Sequence, residues 1–488
     1  MLHQKSKSII QNIFSLTIGQ IISTALSFLS ITLAARFLGV ENFGRFNYLL
    51  AIVFVVSRVI DLGLVPIVFR ELSKNKSDFS LLNSALIIRI FAFIPTWILF
   101  NVTLIILDFT FTEILLANLL ITNTFLSAKF VSFRELLDLP FKVSLKMHFP
   151  MLVNVIDNLI LLILVILIPV YNFGLIYFVI AYLLANLPGF LIIIFLLKKK
   201  FRFKLKFEVR NISWLLTLSL PIYGYVILDV IYQQLDVLLL KYYFDYFEIG
   251  LYAAALRLVV PLLFFATAII HTFFPIINEN IVENISQNKK IVSFIFKMLF
   301  LFPTVLFLLF LFKSDDFVRI IFGNNYLGAS TSTSILLLAQ VFVFFNFFIL
   351  NLTVVYNKQN WNFFLAAYLL LSNFLLNIVF IPMYHIEGAA FAKLLSALTA
   401  SAGSFYFLKK LGHRVDFLSI GLLLWIALNG FILYLVSFLN FYAYLLLGIL
   451  ILLISFLYMG VLKRTEIDYL ASLFKIEKWL LKFRIIRW

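Results

Sequence analysis

Apolar runs of about twenty residues or more, separated by short polar punctuation, recur from one end of this chain to the other. A hydrocarbon layer about 30 Å thick needs about 20 predominantly apolar residues per helical crossing. Read against that length, spans fall near 10–37, 43–67, 80–107, 112–133, 148–169, 173–197, 211–240, 249–275, 292–312, 329–356, 361–381, 386–408, 417–438 and 441–462. The first run is too long for a signal-peptide core and lacks a small-residue cleavage site, so it reads as the first span. Composition agrees: 63% of the 488 residues are hydrophobic and only 13% charged, with a mean hydropathy of +1.07. A water-soluble domain could not cover itself with so few polar groups. The expected fold is an all-α polytopic membrane protein of about fourteen transmembrane helices.

The net charge of +16 would ordinarily suggest nucleic acid, but the cations sit in short connections instead of one patch. Their distribution tests the helix count, because short cytoplasmic loops retain Lys and Arg. The even-numbered connections are the basic ones: Arg70, Lys74 and Lys76, then Arg134, Lys142 and Lys146, then Lys198 to Arg210, then Lys409, Lys410 and Arg414. The odd-numbered ones carry Asp108, Glu113, Asp245, Glu248, Asp315 and Asp316 with few cations. One miscounted helix would invert the bias downstream, yet it persists to Lys463 and Arg464. Both termini are therefore expected in the cytoplasm, with the chain in an inner membrane.

The chain also repeats itself. Arg36 to Tyr48, around Gly44, is echoed by Tyr242 to Ala254, around Gly250, 206 residues later. Ile168-Pro169 to Gly174 is echoed by Ile381-Pro382 to Gly388. Six spans per repeat is an even number, so the halves share one orientation, as parallel repeats do. The expected organisation is an N-terminal lobe over 1–197, a basic linker over 198–210, a second lobe over 211–410, an added helix pair over 411–464 and a basic amphipathic tail over 465–488. The linker alternates basic and apolar residues, a pattern suited to an anionic leaflet, although the loop-charge rule already accounts for it.

Ionisable groups inside a span cost free energy and mark candidate sites. The membrane-depth cations are Arg58, Arg89, Lys129, Arg257, Lys297 and Lys393. Lys129 and Lys297 sit near enough to span ends to snorkel. Arg58 and Asp61 stand three residues apart on one helix face, either neutralising each other or lining a hydrated cavity. Asp229, Gln233 and Asp236 form a polar stripe without a basic neighbour in their own span. Arg257 precedes Pro261 by one turn and is a possible partner for that stripe. Asp157 and His271 are candidate proton carriers. The chain has no cysteine and its five histidines lack ligand spacing, so no metal or cofactor is expected. No phosphate-binding loop occurs either, and no connection is long enough for an external catalytic domain.

Several motifs then fall into a known order: Ala35 to Gly39, Phe43 to Phe46, Asp61-Leu62-Gly63, Arg70-Glu71, Leu220-Pro221, Gly250 to Ala254, Phe322 to Tyr326, and Ile381-Pro382 to Ala390. Together they resemble the Wzx-type polysaccharide flippases of the multidrug/oligosaccharidyl-lipid/polysaccharide exporter superfamily, over roughly residues 9–460. The resemblance implies two six-helix lobes around a central, often cationic, cavity lined by spans one, two, seven and eight. It implies transport without catalysis, of oligosaccharides linked to undecaprenyl pyrophosphate. It also implies work beside a polysaccharide polymerase and a chain-length regulator, with no nucleic acid. On that footing Arg58, Arg89, Lys129, Arg257, Lys297 and Lys393 are the expected pyrophosphate ligands. Asp61, Asp157, Asp229, Gln233 and Asp236 are the expected ion-coupling or cavity groups. A drug or cation extruder of the same superfamily, a peptidoglycan-precursor flippase, and a membrane polymerase or glycosyltransferase are the alternatives.

Overall fold

The structure is a computed structural model that describes residues 2–75, 78–130, 133–209, 211–283, 285–358, 360–413 and 420–458. The basic tail, Lys76, Arg210, Arg414, Lys463, Arg464 and the side chain of His271 lie outside what it describes. Every regular element among the described residues is a helix: α1 Leu2–Asp61, α2 Leu64–Lys74, α3 Ser80–Ile106, α4 Phe111–Leu126, α5 Phe133–Val143, α6 His148–Tyr171, α7 Leu175–Leu184, α8 Leu187–Phe201 and α9 Ile212–Tyr243. These are followed by α10 Tyr246–Val259, α11 Leu263–Glu283, α12 Ile285–Leu311, α13 Ser314–Phe322, α14 Ser330–Val355, α15 Asn360–Lys410, α16 Ile420–Leu435 and α17 Phe441–Tyr458.

Nine helical stretches among the described residues are long and apolar enough to cross a membrane, with three shorter apolar helices beside them. Two of the nine are each about twice the necessary length and are broken inside. In α1 the break is at Gly39, whose φ of 78° suits a residue without a side chain. In α15 it is at Tyr384 and His385, just past Pro382. Each of the fourteen expected spans thus coincides with helix over most of its described residues, although the fourth leaves helix after Leu126. The polar stretches 133–143 and 314–322, expected as loops, are instead short amphipathic helices, α5 and α13. With no water at membrane depth, hydroxyls inside spans return to their own backbone, as Ser30 does to Leu26 O (2.8 Å) and Thr304 to Phe300 O (2.7 Å).

The chain separates into two compact units whose boundaries do not follow the sequence repeat: Met1–Pro261 with Ile321–Ser332 and Asn362–Ala392, and Leu262–Ile320 with Thr333–Trp361 and Lys393–Trp488. In the first unit, α1 packs on α10 and α6. The repeat glycines meet there: a Cβ on Gly44 would collide with the backbone of Tyr246 and Gly250, and one on Gly250 with the Val40 carbonyl. Only two bare backbones approach so closely, the device that joins helices where lipid removes any hydrophobic drive. Tyr326 ties the segment after α13 to this crossing, donating its hydroxyl to Ala35 O (2.7 Å).

The second unit has a core of aromatic and aliphatic side chains centred on Phe296, whose ring lies 4.6 Å from Phe345 and 4.8 Å from Phe348. Many of its buried polar groups form neutral hydrogen-bonded knots. Asn346 Nδ2 donates to Ala397 O (2.9 Å) while its Oδ1 accepts from Ser404 (2.8 Å). Trp425, fully buried, donates to Ser455 (3.0 Å), which donates to Asn429 (2.8 Å).

Candidate functional site

Two buried ion pairs organise the first unit. Asp61 closes α1, and its carboxylate accepts from Arg89 on α3, both almost fully buried. The three-residue spacing made Arg58 one candidate partner of Asp61, beside a role for both in lining a hydrated cavity. The chain instead turns sharply at Leu62 and Gly63, both with positive φ, and the aspartate meets a cation 28 residues away. The second pair joins Arg134 on α5 to Asp157 on α6, and Arg134 also donates to Asn154 (2.8 Å). Arg134 had read as a topological loop charge; it is fully buried. At low dielectric a lone charge would be costly, so in each pair the partners cancel.

Beside the second pair lies a cavity of about 370 Å³. Gln20, Ser23, Thr24 and Ser27 line it from α1, and Asn154, Asp157 and Asn158 from α6. Tyr182, Asn186, Lys129 and Arg257 complete the polar lining. Lys129 projects from the short non-helical link after α4, with Nζ 5.3 Å from the centre of the Tyr182 ring. Arg257 stands one turn before Pro261, where α10 gives way to a short 3₁₀ turn, and donates to Asn47 Oδ1 at 3.3 Å. Neither forms an ion pair among the described residues. Asp157 is the one carboxylate in the lining and Arg134 already answers it. The cavity therefore holds an excess of two positive charges amid amides and hydroxyls. Such a place suits an anion: the guanidinium matches phosphate oxygens in a planar fork and the ammonium adds a point charge.

The other predicted residues lie elsewhere. Arg58 is half-buried, makes no ion pair among the described residues and does not line the cavity. Asp229 accepts from Gln233 (2.7 Å). Asp236, fully buried, accepts from Tyr252 (2.8 Å) and from Asn377 (2.9 Å), which also donates to Asn373 (3.0 Å). Arg257 is thus not the partner of the α9 acids. Lys297 and Lys393 belong to the second unit, and both are engaged in interactions. The amide and hydroxyl lining went unread, although a signal existed. Gln20, Ser23, Thr24 and Ser27 recur at three- and four-residue intervals along one apolar span, as do Asn154, Asp157 and Asn158 along another. That is the period of one helix face.

Comparison with known proteins places this architecture. Among curated proteins, no sequence matches the chain. Solved structures match its fold. The lipid II flippase MurJ in an inward closed conformation superposes with a TM-score of 0.70 at 19% identity, covering 90% of this chain and 97% of that one. The Vibrio cholerae MATE transporter VcmN gives 0.58 at 13% identity, covering 83% of this chain and 97% of that one. A MOP superfamily transporter from Pyrococcus furiosus gives 0.58 at 14% identity, with coverage of 83% and 95%. At such identities the likeness establishes the fold, which is that of the MOP-type membrane transporters. Residues 9–281, more than half of the chain, match the family described as polysaccharide biosynthesis protein, and the chain belongs to that family.

Proposed function

We propose that the chain is a flippase that carries undecaprenyl-pyrophosphate-linked oligosaccharide repeat units from the cytoplasmic to the outer leaflet of a bacterial inner membrane, for O-antigen, capsule or exopolysaccharide synthesis. The observation that carries this reading is the cavity with two cations, Lys129 and Arg257, beside the buried Arg134, whose charge Asp157 already cancels. A pyrophosphate brings the countercharge that this cavity lacks, and sugar hydroxyls find partners in its asparagines, serines and Gln20. Family membership in polysaccharide biosynthesis fits the cargo class.

In this reading both termini are cytoplasmic and two parallel six-helix lobes alternate access to the site, while the polyprenyl tail stays in lipid. The protein does no covalent chemistry and works beside the polymerase and chain-length regulator of its pathway. Asp236, buried among the hydroxyl of Tyr252 and the amide of Asn377, is the best-placed group for coupling to protons or sodium. Arg58, Arg89, Lys297 and Lys393 are secondary to Lys129 and Arg257.

The test replaces Lys129 and Arg257 together by glutamine in cells that make the polysaccharide. Surface polymer should vanish and lipid-linked repeats accumulate, with the variant still inserted in the membrane. Normal surface polymer in that variant rejects the reading. Assaying peptidoglycan-precursor and repeat-unit lipids side by side separates the two pyrophosphate cargoes.

A further inference from the structure

Between α8 and α9 the chain runs from Arg202 to Val209 without helical structure, outside any span. This strap is anchored on α3. Asn83 Nδ2 donates to Lys204 O (3.4 Å), Lys206 N donates to Asn83 Oδ1 (3.4 Å), and Ser84 Oγ donates to Glu208 O (2.9 Å). Phe203 plugs the core below, edge-on to Phe79 with ring centres 5.7 Å apart. Held this way, the strap leaves three apolar side chains largely uncovered: Leu205 at 68% exposure, Phe207 at 74% and Val209 at 55%. Phe207 stands edge-on to Phe91 on α3, with ring centres 6.4 Å apart, and Phe91 is itself 59% exposed, so the uncovered apolar face of the strap continues that of the helix.

The charge around them is one-sided. Residues 198–209 hold six cations, Lys198, Lys199, Lys200, Arg202, Lys204 and Lys206, against one acid, Glu208. Lys200 caps the Phe149 ring at 3.9 Å, which keeps the basic cluster next to the α5–α6 connection and its exposed Lys146. Trp214, 45% exposed at the start of α9, is a residue type that seats at the headgroup level. Apolar side chains interleaved with lysines, beside an interfacial tryptophan, complement one surface: acyl chains at their junction with negative headgroups.

We infer that the 202–209 strap is a lipid-binding element that docks on anionic phospholipid headgroups, with Leu205 and Phe207 inserted beneath them and Lys204 and Lys206 on the phosphates. Because Asn83 and Ser84 tie the strap to the first turns of α3, the docked lipid also holds that end of α3 at the membrane surface. The inference stands independently of the cargo, and it is tested without any lipid-linked sugar present.

The absence of cysteine makes the experiment clean. Phe207→Cys in the full chain gives a unique thiol for a polarity-sensitive fluorophore. The protein is placed in nanodiscs of phosphatidylcholine alone or with about one third phosphatidylglycerol, and salt is raised from about 0.05 M to about 0.5 M. The expected result is blue-shifted emission in the anionic discs that reverts with salt, and no such response from a label at Tyr242→Cys. Replacing Lys204 and Lys206 by glutamine should weaken the shift, and the salt series on the unaltered charges gives the same information if that variant inserts poorly. Emission identical in the two lipids, or a shift of equal size in both that salt leaves unchanged, overturns the inference.

Discussion

The two compact units handle buried polarity in opposite ways. Of the charged side chains buried among the described residues, Asp61, Arg89, Glu113, Arg134, Asp138, Asp157 and Asp236 belong to the first unit, and Lys297 to the second. The second unit satisfies its interior with asparagine, serine and tryptophan bonded to one another and to backbone, around a phenylalanine-rich centre. The first sets carboxylates against arginines and keeps a cavity whose cations exceed its anions. Charge at low dielectric is expensive. Its concentration in the first unit leaves the second with an interior satisfied mainly by neutral groups.

The comparison can be broken most severely at the Arg134–Asp157 pair. Asp157→Ala strands a buried guanidinium and should cost about 3–5 kcal/mol, read as a large fall in the thermal midpoint of detergent-solubilised protein. Arg134→Met with Asp157→Leu should recover most of that loss, since replacing both charges removes the desolvation cost as well. A double variant as unstable as the single one would mean that the pair does more than cancel itself.

In the second unit Asn346→Leu removes the donor to Ala397 O and the acceptor for Ser404, and should cost about 1–3 kcal/mol in the same assay. A loss as large as that of Asp157→Ala would erase the contrast between neutral and charged interiors. Gly44→Ala drives a methyl into the backbone of Tyr246 and Gly250, at about 1–3 kcal/mol. The same change at Gly403, where a Cβ meets nothing, should leave the midpoint unchanged or raised.

The smallest effect belongs to His413, in the connection after α15. Burial depresses its pKa to about 4, with Lys289 adding repulsion, and Tyr356 shares a hydrogen bond with its Nε2 (2.7 Å). A histidine lowered in the folded state binds fewer protons there than when unfolded, so its stability is complete above about pH 6.5 and declines as pH falls toward 4. On the order of 1 kcal/mol should be lost between pH 7 and pH 5. A His413→Gln variant should show a flatter thermal midpoint over that range, and an unchanged slope would contradict this account.

Much of this was legible in the sequence, and the limits follow a pattern. Hydropathy located the long apolar helices among the described residues because bilayer thickness sets a length that each must meet, whatever its neighbours. The repeat around Gly44 and Gly250 was readable as an offset, and the structure gives its reason in a backbone crossing. Pairing was not readable. Asp61 had Arg58 three residues away and chose Arg89; Asp157 found Arg134 across 23 residues of intervening chain. Such choices are made by tertiary packing, to which no local spacing has access. The amphipathic helices α5 and α13 were missed for a related reason, since their polar residues look like loops until something covers the other face.

The two uncancelled cations of the first unit, Lys129 and Arg257, are proposed to hold a pyrophosphate. The most direct measurement reconstitutes the purified full chain in proteoliposomes and follows transbilayer movement of a fluorescent undecaprenyl-pyrophosphate-linked oligosaccharide. The account predicts that Lys129→Gln with Arg257→Gln slows movement at least about tenfold, equivalent to about 1.4 kcal/mol of lost headgroup interaction, with the thermal midpoint nearly unchanged. Movement at the unmodified rate in the Lys129/Arg257 variant would contradict it.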